Sequence, residues 1–171
     1  MKPRITFLES QETELKQWLT NHPESHERGA VVLFIRFSKS VKGFKRSDRF
    51  LAVEIIKMTG DWVFDSSETH FKINMRKFVD VYLQCEQRQL ELGFVHNHPN
   101  GFSDFSDRDN LNEKNILKGL TGCNGTSSFL VSLILSDNNW IARVRRGESP
   151  DKVYSVRHIS VLGSQLSLFG I

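Results

Sequence analysis

Phe94-Val95-His96-Asn97-His98-Pro99-Asn100-Gly101-Phe102-Ser103-Asp104-Phe105-Ser106-Asp107-Arg108-Asp109 is the stretch that decides how this chain is read. His96 ends an apolar run from Leu90 that has the character of a short strand, and His98 follows two residues later. Residues two apart on a strand point to the same face, so the two imidazoles project together. Pro99-Asn100-Gly101 turns the chain, a polar segment runs on to Phe105, and Ser106 opens a helix from about Asp107 to Leu120.

Asp109, three residues after Ser106, can return a carboxylate to the two histidines. Imidazole and carboxylate are zinc ligands, and three protein ligands leave one coordination position open. Catalytic zinc keeps such a position, whereas structural zinc closes all four. Such a metal lowers the pKa of water to about 7. Each piece also has a plainer reading. Histidines pair by chance on surfaces, and Ser106-x-x-Asp109 fits a capping box that satisfies backbone N–H groups of a first helical turn. The two readings of Ser106 and Asp109 are compatible, because a cap is what brings Asp109 to the helix start.

Outward from this stretch, the pattern gives a mixed succession of elements. Leu8 to Leu19 reads as a helix with Ser10 as cap, ended at Asn21-His22-Pro23. Gly29 to Phe37 is almost continuously apolar, as a strand covered on both faces should be. Phe50 to Met58 is a second strand, Thr59 to Thr69 is polar and turn-rich, and Asn74 to Gln89 is a helix. After the Asp107 helix, Gly122 to Thr126 is a turn. Ser128 to Leu135 and Trp140 to Arg146 form a hairpin around Ser136-Asp137-Asn138-Asn139, and Val153 to Val161 is a last strand. The order α-β-β-α-β-α-β-β-β argues an α/β domain with one mixed sheet flanked by helices.

Composition sets the bounds. The chain has 171 residues, 39% hydrophobic and 25% charged, which is one domain's worth and needs no disulfide or metal to bury a core. No apolar run is long enough to span a bilayer. The first residues lack the apolar core of a signal peptide, because Glu9, Gln11 and Glu12 interrupt it. Cys85 and Cys123 form no CxxC pair, so neither a disulfide framework nor a thiolate zinc site is indicated. A cytoplasmic protein without membrane association is expected. Net charge is +3, and Arg36, Lys39, Lys42, Lys45, Arg46 and Arg49 concentrate much of the positive charge. Such a block is either a solvated loop or a footprint for nucleic acid or an acidic partner; the modest net excess argues against strong nucleic-acid binding.

The spacing His96-x-His98, seven residues, Ser106, two residues, Asp109 resembles the H-x-H-x7-S-x2-D signature of the JAB/MPN (JAMM) zinc metalloproteases. The resemblance implies a JAB/MPN-type (cytidine-deaminase-like) mixed β-sheet flanked by helices, with one zinc ion per chain held by His96, His98 and Asp109. It implies an upstream glutamate as general base, and Glu27 stands in that place. The family pattern is roughly Glu-x-x-Gly-x-Leu; here it reads Glu27-Arg28-Gly29-Ala30-Val31-Val32, with Ala30 for the usual Gly and Phe34 where another Gly is common. Glu24 is the nearby alternative. Ser106 would help stabilise the oxyanion, and the cysteines would be spectators.

The resemblance extends from about Glu27 to Val161 as an order of elements, and gives residues 1–161 as one metalloprotease domain. Residues 162–171 form an apolar tail, read as a docking segment or a boundary. The general outline is similar to prokaryotic JAB domains associated with or fused to ThiF/E1-like proteins. It implies hydrolysis after the C-terminal glycine of a ubiquitin-like protein, in maturation or deconjugation, with E1-like or E2-like proteins as further partners. Trp62 and Phe64 lie where the family often carries a substrate-binding insertion; they contact substrate or fold down onto the core. Other readings are a RadC-like DNA-associated JAB protein, a non-catalytic MPN scaffold, and an enzyme acting on a small amide conjugate. A nucleobase deaminase is excluded, because H-x-E followed by P-C-x-x-C is missing.

Overall fold

The computed structural model describes residues 2–21, 26–39, 47–67, 70–163 and 167–170. In chain order the elements are β1 (Lys2–Leu8), α1 (Glu9–Thr20), β2 (Gly29–Lys39), β3 (Ser47–Lys57), β4 (Val63–Ser67), β5 (His70–Ile73), α2 (Phe78–Arg88), β6 (Glu91–Asn97), α3 (Asp107–Asn124), β7 (Phe129–Ser136), β8 (Asn139–Arg146), β9 (Ser149–Ser155), β10 (His158–Leu162) and β11 (Ser167–Gly170). Single 3-10 turns precede β4, at Gly60–Trp62, and α2, at Met75–Lys77.

Nine strands form one mixed sheet in the order β11-β10-β1-β3-β2-β6-β7-β8-β9. Its parallel pairs are β1 with β10, β1 with β3, and β6 with β7. The sheet curls until β9 approaches β1. Inside the curl Ile5, Phe7, Phe34, Phe50, Leu133 and Trp140 pack with Leu15 and Leu19 of α1. On the other face Leu33, Leu92 and Phe94 meet Phe78 and Val81 of α2 and Ile116, Leu117 and Leu120 of α3. Covered on both sides, β7 is buried along its whole length, which is why Phe129 to Leu135 reads as nearly unbroken apolar sequence.

The mixed α/β architecture agrees with the sequence, and so does the β7–β8 hairpin. Asp137 and Asn138 take φ values of 46° and 66° at its tip, as the favoured two-residue hairpin turn requires. Four features differ. β1 does not stand out in the sequence: Ile5 and Phe7 are fully buried, but seven residues carry too short an alternation. The first helix starts at Glu9, and the free N–H of Leu8 is met by the Gln11 side chain at 3.1 Å, so Ser10 is not its cap. The polar segment from Thr59 holds the β4–β5 hairpin. The expected last strand is two, β9 and β10, separated where Val156 turns into the core.

Residues 22–25 and 40–46, which include His22, Pro23, Glu24, Lys42, Lys45 and Arg46, lie outside the described residues. The flanks of the basic block belong to β2 and β3, where Arg36 is paired with Asp48. Within the tail, Ser167–Gly170 pairs antiparallel with β10 at the sheet edge. Among the described residues no helix is long and apolar enough to cross a membrane.

Candidate metal centre

The sheet register builds the site. β2 runs antiparallel to β6 with Gly29 opposite His96, Val31 opposite Phe94 and Leu33 opposite Leu92. Opposed residues in such a ladder share a face. Carrying the register two residues back places Glu27 beside His98, on the face that carries both histidines. The backbone continues the ladder past the strand ends: Asn97 N–H donates to the Arg28 carbonyl at 3.2 Å, and Arg28 N–H donates to the Asn97 side-chain oxygen at 2.6 Å. Glu27 N–H donates to the Ser67 carbonyl of β4 at 2.8 Å, so the second sheet holds Glu27 from the other side.

Gly29 is required by close packing. A Cβ there would lie 2.7 Å from the Phe71 ring and 2.8 Å from the Met58 sulfur. Phe71 in turn stacks on Phe94, which stacks on the His96 imidazole with centroids 5.2 Å apart. An apolar column therefore backs the metal-ligand candidates.

Past β6, Gly101 adopts φ 75° and its N–H donates to the His98 carbonyl at 3.2 Å. The tight turn brings the Phe102 carbonyl 2.8 Å from His98 Nδ1. A carbonyl only accepts, so Nδ1 carries a proton, which leaves Nε2 as the atom that can shed its proton to bind a metal. Ser106 caps α3 as the sequence predicted: its hydroxyl accepts from Asp109 N–H at 3.2 Å, and its own N–H and O–H both donate to Asp109 Oδ2 at 2.7 Å.

The result is convergence of three ligand atoms. His96 Nε2 lies 3.0 Å from Asp109 Oδ1 and 3.1 Å from His98 Nε2, while His98 Nε2 lies 3.5 Å from Asp109 Oδ2. His96, His98 and Asp109 are all buried and offer one ligand atom each within 4.8 Å of one another. Buried lone pairs aimed at each other repel unless a proton or a metal cation sits among them. The donor set suits a four-coordinate divalent ion with one open position. Among the described residues these three could hold a metal ion. His96 Nδ1 is buried without a hydrogen-bond partner, so its ring is oriented by Phe94 and not by an acceptor.

The electrostatics follow from burial and proximity. Asp109 is held well below the usual carboxylate range: burial pushes it up, but hydrogen bonds from His96, His98 and Ser106 outweigh that. For His98 burial pushes the pKa down, and Asp109 together with the Phe102 carbonyl holds it above the ordinary value. Glu27 is raised by burial, with the nearby histidines opposing. Asp109 thus stays a carboxylate, and Glu27 is poised to take up a proton.

Sequence reasoning missed a buried ionic cluster on the helix that carries Asp109. Glu113, one turn further along α3 and 1% exposed, accepts from Arg143 Nε at 2.9 Å and Arg145 Nε at 2.6 Å. Both arginines also donate to the Asn110 side chain, at 2.8 and 2.9 Å. The Arg143 guanidinium lies over Phe105, 3.6 Å from its centroid, immediately before the cap. The i to i+4 relation of Asp109 and Glu113 is visible in sequence; the partners of Glu113 on β8 are not. Of the aromatic candidates, Trp62 packs edge-on against Phe78 of the core, and Phe64 is 63% exposed on β4.

The chain matches no family model and no curated protein.

Proposed function

We propose that this protein is a zinc-dependent amide hydrolase of the JAB/MPN (JAMM) type, with a cytidine-deaminase-like sheet. Its proposed reaction is cleavage after the C-terminal glycine of a ubiquitin-like protein, in maturation or deconjugation, with E1-like or E2-like proteins as further partners. The observation that carries the reading is the meeting of His96, His98 and Asp109 within 4.8 Å, next to Glu27 on the same sheet face.

His96, His98 and Asp109 would hold the ion. When bound, zinc supplies Lewis acidity, making water acidic near neutral pH and polarising a carbonyl oxygen. Glu27, raised by burial, takes the proton of the attacking water and returns it to the leaving amine. Ser106 orients Asp109 through its hydroxyl, and the same hydroxyl, rotated, donates to the oxyanion.

Elemental analysis tests the premise first. About one zinc per wild-type chain, lost in His98→Ala, is expected. Incubation with ubiquitin-like precursors and conjugates should then release the group beyond the terminal glycine, and Glu27→Gln should not. Absence of zinc after reconstitution overturns the metal reading. Zinc binding without cleavage of any amide substrate overturns the hydrolase reading.

A further inference from the structure

The described arginines that are not exposed share a habit, with one exception. Arg36 reaches Glu91 at 2.7 Å and Asp48 at 3.3 Å, Arg143 and Arg145 reach Glu113, and Arg146 reaches Glu148 at 2.5 Å. Arg28 is half-buried and has no carboxylate partner among the described residues. Its guanidinium lies flat over Trp18, 3.4 Å from the ring centroid, and one terminal nitrogen donates to the Trp18 carbonyl at 3.0 Å. Nε and the second terminal nitrogen have no hydrogen-bond partner among the described residues. The group is thus fixed in place by stacking and by one bond, with donors of its planar fork unused.

A guanidinium taken out of water without a counter-ion is costly. Burial pulls its pKa down, and among the described residues no opposite charge compensates. Fixed orientation with spare donors is the arrangement that recognises a planar anion in two-point fashion.

Arg28 lines a cavity of ≈ 340 Å³ whose other walls include Trp18, Glu27, Met58, Val63 and Phe71. That volume is at the small end for ligand sites and has room for a single amino-acid residue. Its walls mix these apolar side chains with the polar His26, Thr59 and Ser66, and Arg28 supplies the guanidinium fork. Glu27 belongs to this cavity and, by register, to the face of His96 and His98, so whatever fills the cavity adjoins the reacting bond.

We propose that the Trp18–Arg28 cavity binds a carboxylate-bearing residue of the substrate next to the cleaved amide. The carboxylate pairs with Arg28, and the body of the residue lies against Trp18, Met58, Val63 and Phe71. The site as a part of catalysis rests on the amide-hydrolase reading; the site as a carboxylate receptor does not. Two sources offer this chemistry, a C-terminal α-carboxylate on the leaving residue and an aspartate or glutamate side chain.

Three probes separate the possibilities: acetyl-glycyl-leucine as free acid, the same dipeptide as C-terminal amide, and acetyl-glycyl-aspartate amide. Affinities are measured calorimetrically on zinc-loaded Glu27→Gln protein, with and without Arg28→Gln. We expect the free acid, the aspartate probe or both to bind about tenfold or more tighter than the neutral amide. That preference should vanish with Arg28→Gln, while circular dichroism and zinc content stay unchanged. Whichever acid binds tighter identifies the source. Should Arg28→Gln fail to fold, Arg28→Lys keeps the charge without the fork and should weaken the preference severalfold. Equal affinity for all probes, no binding of any, or a preference that survives either substitution overturns the proposal. Survival in Arg28→Gln would place the carboxylate on the metal instead. Turnover by the wild type is read separately. Arg28-dependent binding without hydrolysis keeps the site and removes the hydrolase reading; hydrolysis indifferent to the carboxylate does the reverse.

Discussion

The side-chain oxygen of Asn97 accepts the backbone N–H of Arg28 at 2.6 Å, so the residue between the two histidines holds the segment that presents Glu27. The bond extends the β2–β6 ladder beyond its last regular pair, Gly29 and His96. It makes the placement of the general base and of the metal ligands one structural event.

Asn97→Ala removes the acceptor and leaves the Arg28 N–H unmet in a half-buried position. Stability is expected to fall by about 1–3 kcal/mol, the usual penalty for a stranded donor. Amide hydrolysis should fall further than zinc content, because both histidines remain on their strand. Urea unfolding and elemental analysis check the two halves, and Asn97→Asp, which keeps an acceptor, should restore most of the stability.

Glu27→Gln is expected to slow turnover strongly and to stabilise the zinc-free protein. Its folded pKa stands above the ordinary 4.5, so the native state binds this proton more tightly than the unfolded state. Stability from Glu27 is therefore full below the ordinary value and is lost as pH rises through the raised one. At neutral pH the ionised group is a burden that glutamine lifts, so the melting temperature should rise. Turnover should drop by about 10²- to 10⁴-fold, the usual contribution of a general base. A lower melting temperature in the zinc-free variant would contradict the burial account.

Zinc affinity is expected to weaken on acidification, and His98 rather than Asp109 governs where. The His98 pKa is held above the ordinary 6.5, so protons begin to compete for Nε2 above that pH. Asp109 stays ionised far into acid and offers no such competition. A chelator competition followed from about pH 8 to about pH 5 should show affinity falling over this range. An affinity that is flat to pH 5 would count against His98 as a ligand.

Glu113→Ala leaves Arg143 and Arg145 without their shared carboxylate. Removing one partner of a buried ionic group costs about 3–5 kcal/mol. Because the same cluster holds Asn110 and clamps Phe105 ahead of the Ser106 cap, zinc affinity should fall as well. Denaturant titration together with zinc competition reads both effects. Loss of stability with unchanged zinc affinity would show that the cluster braces the fold and not the site.

The sequence by itself determined the local parts of the site. His96 and His98 share a face because strand side chains alternate with period two, and Ser106 meets Asp109 because a capping box spans three residues. Such relations are fixed by covalent geometry within one element, so they are legible from spacing. Asp137 and Asn138 marked their hairpin for the same reason. What lay far apart in the chain was decided by tertiary structure. The placement of Glu27 depends on the register of β2 against β6, and that register is set by which apolar face each strand buries. Arg143 and Arg145 find Glu113 only because β8 follows β7 around the curl to the end of the sheet where α3 begins. Arg28 read in sequence is one cation among 23 Lys and Arg residues. Only the packing of α1 against the start of β2, where the Trp18 indole N–H donates to the Gly29 carbonyl at 2.9 Å, lays it over Trp18 and out of reach of any described carboxylate. Spacing along a chain records who is near in sequence; burial and register, acting across the whole sheet, choose which distant charges meet and which stay unpaired.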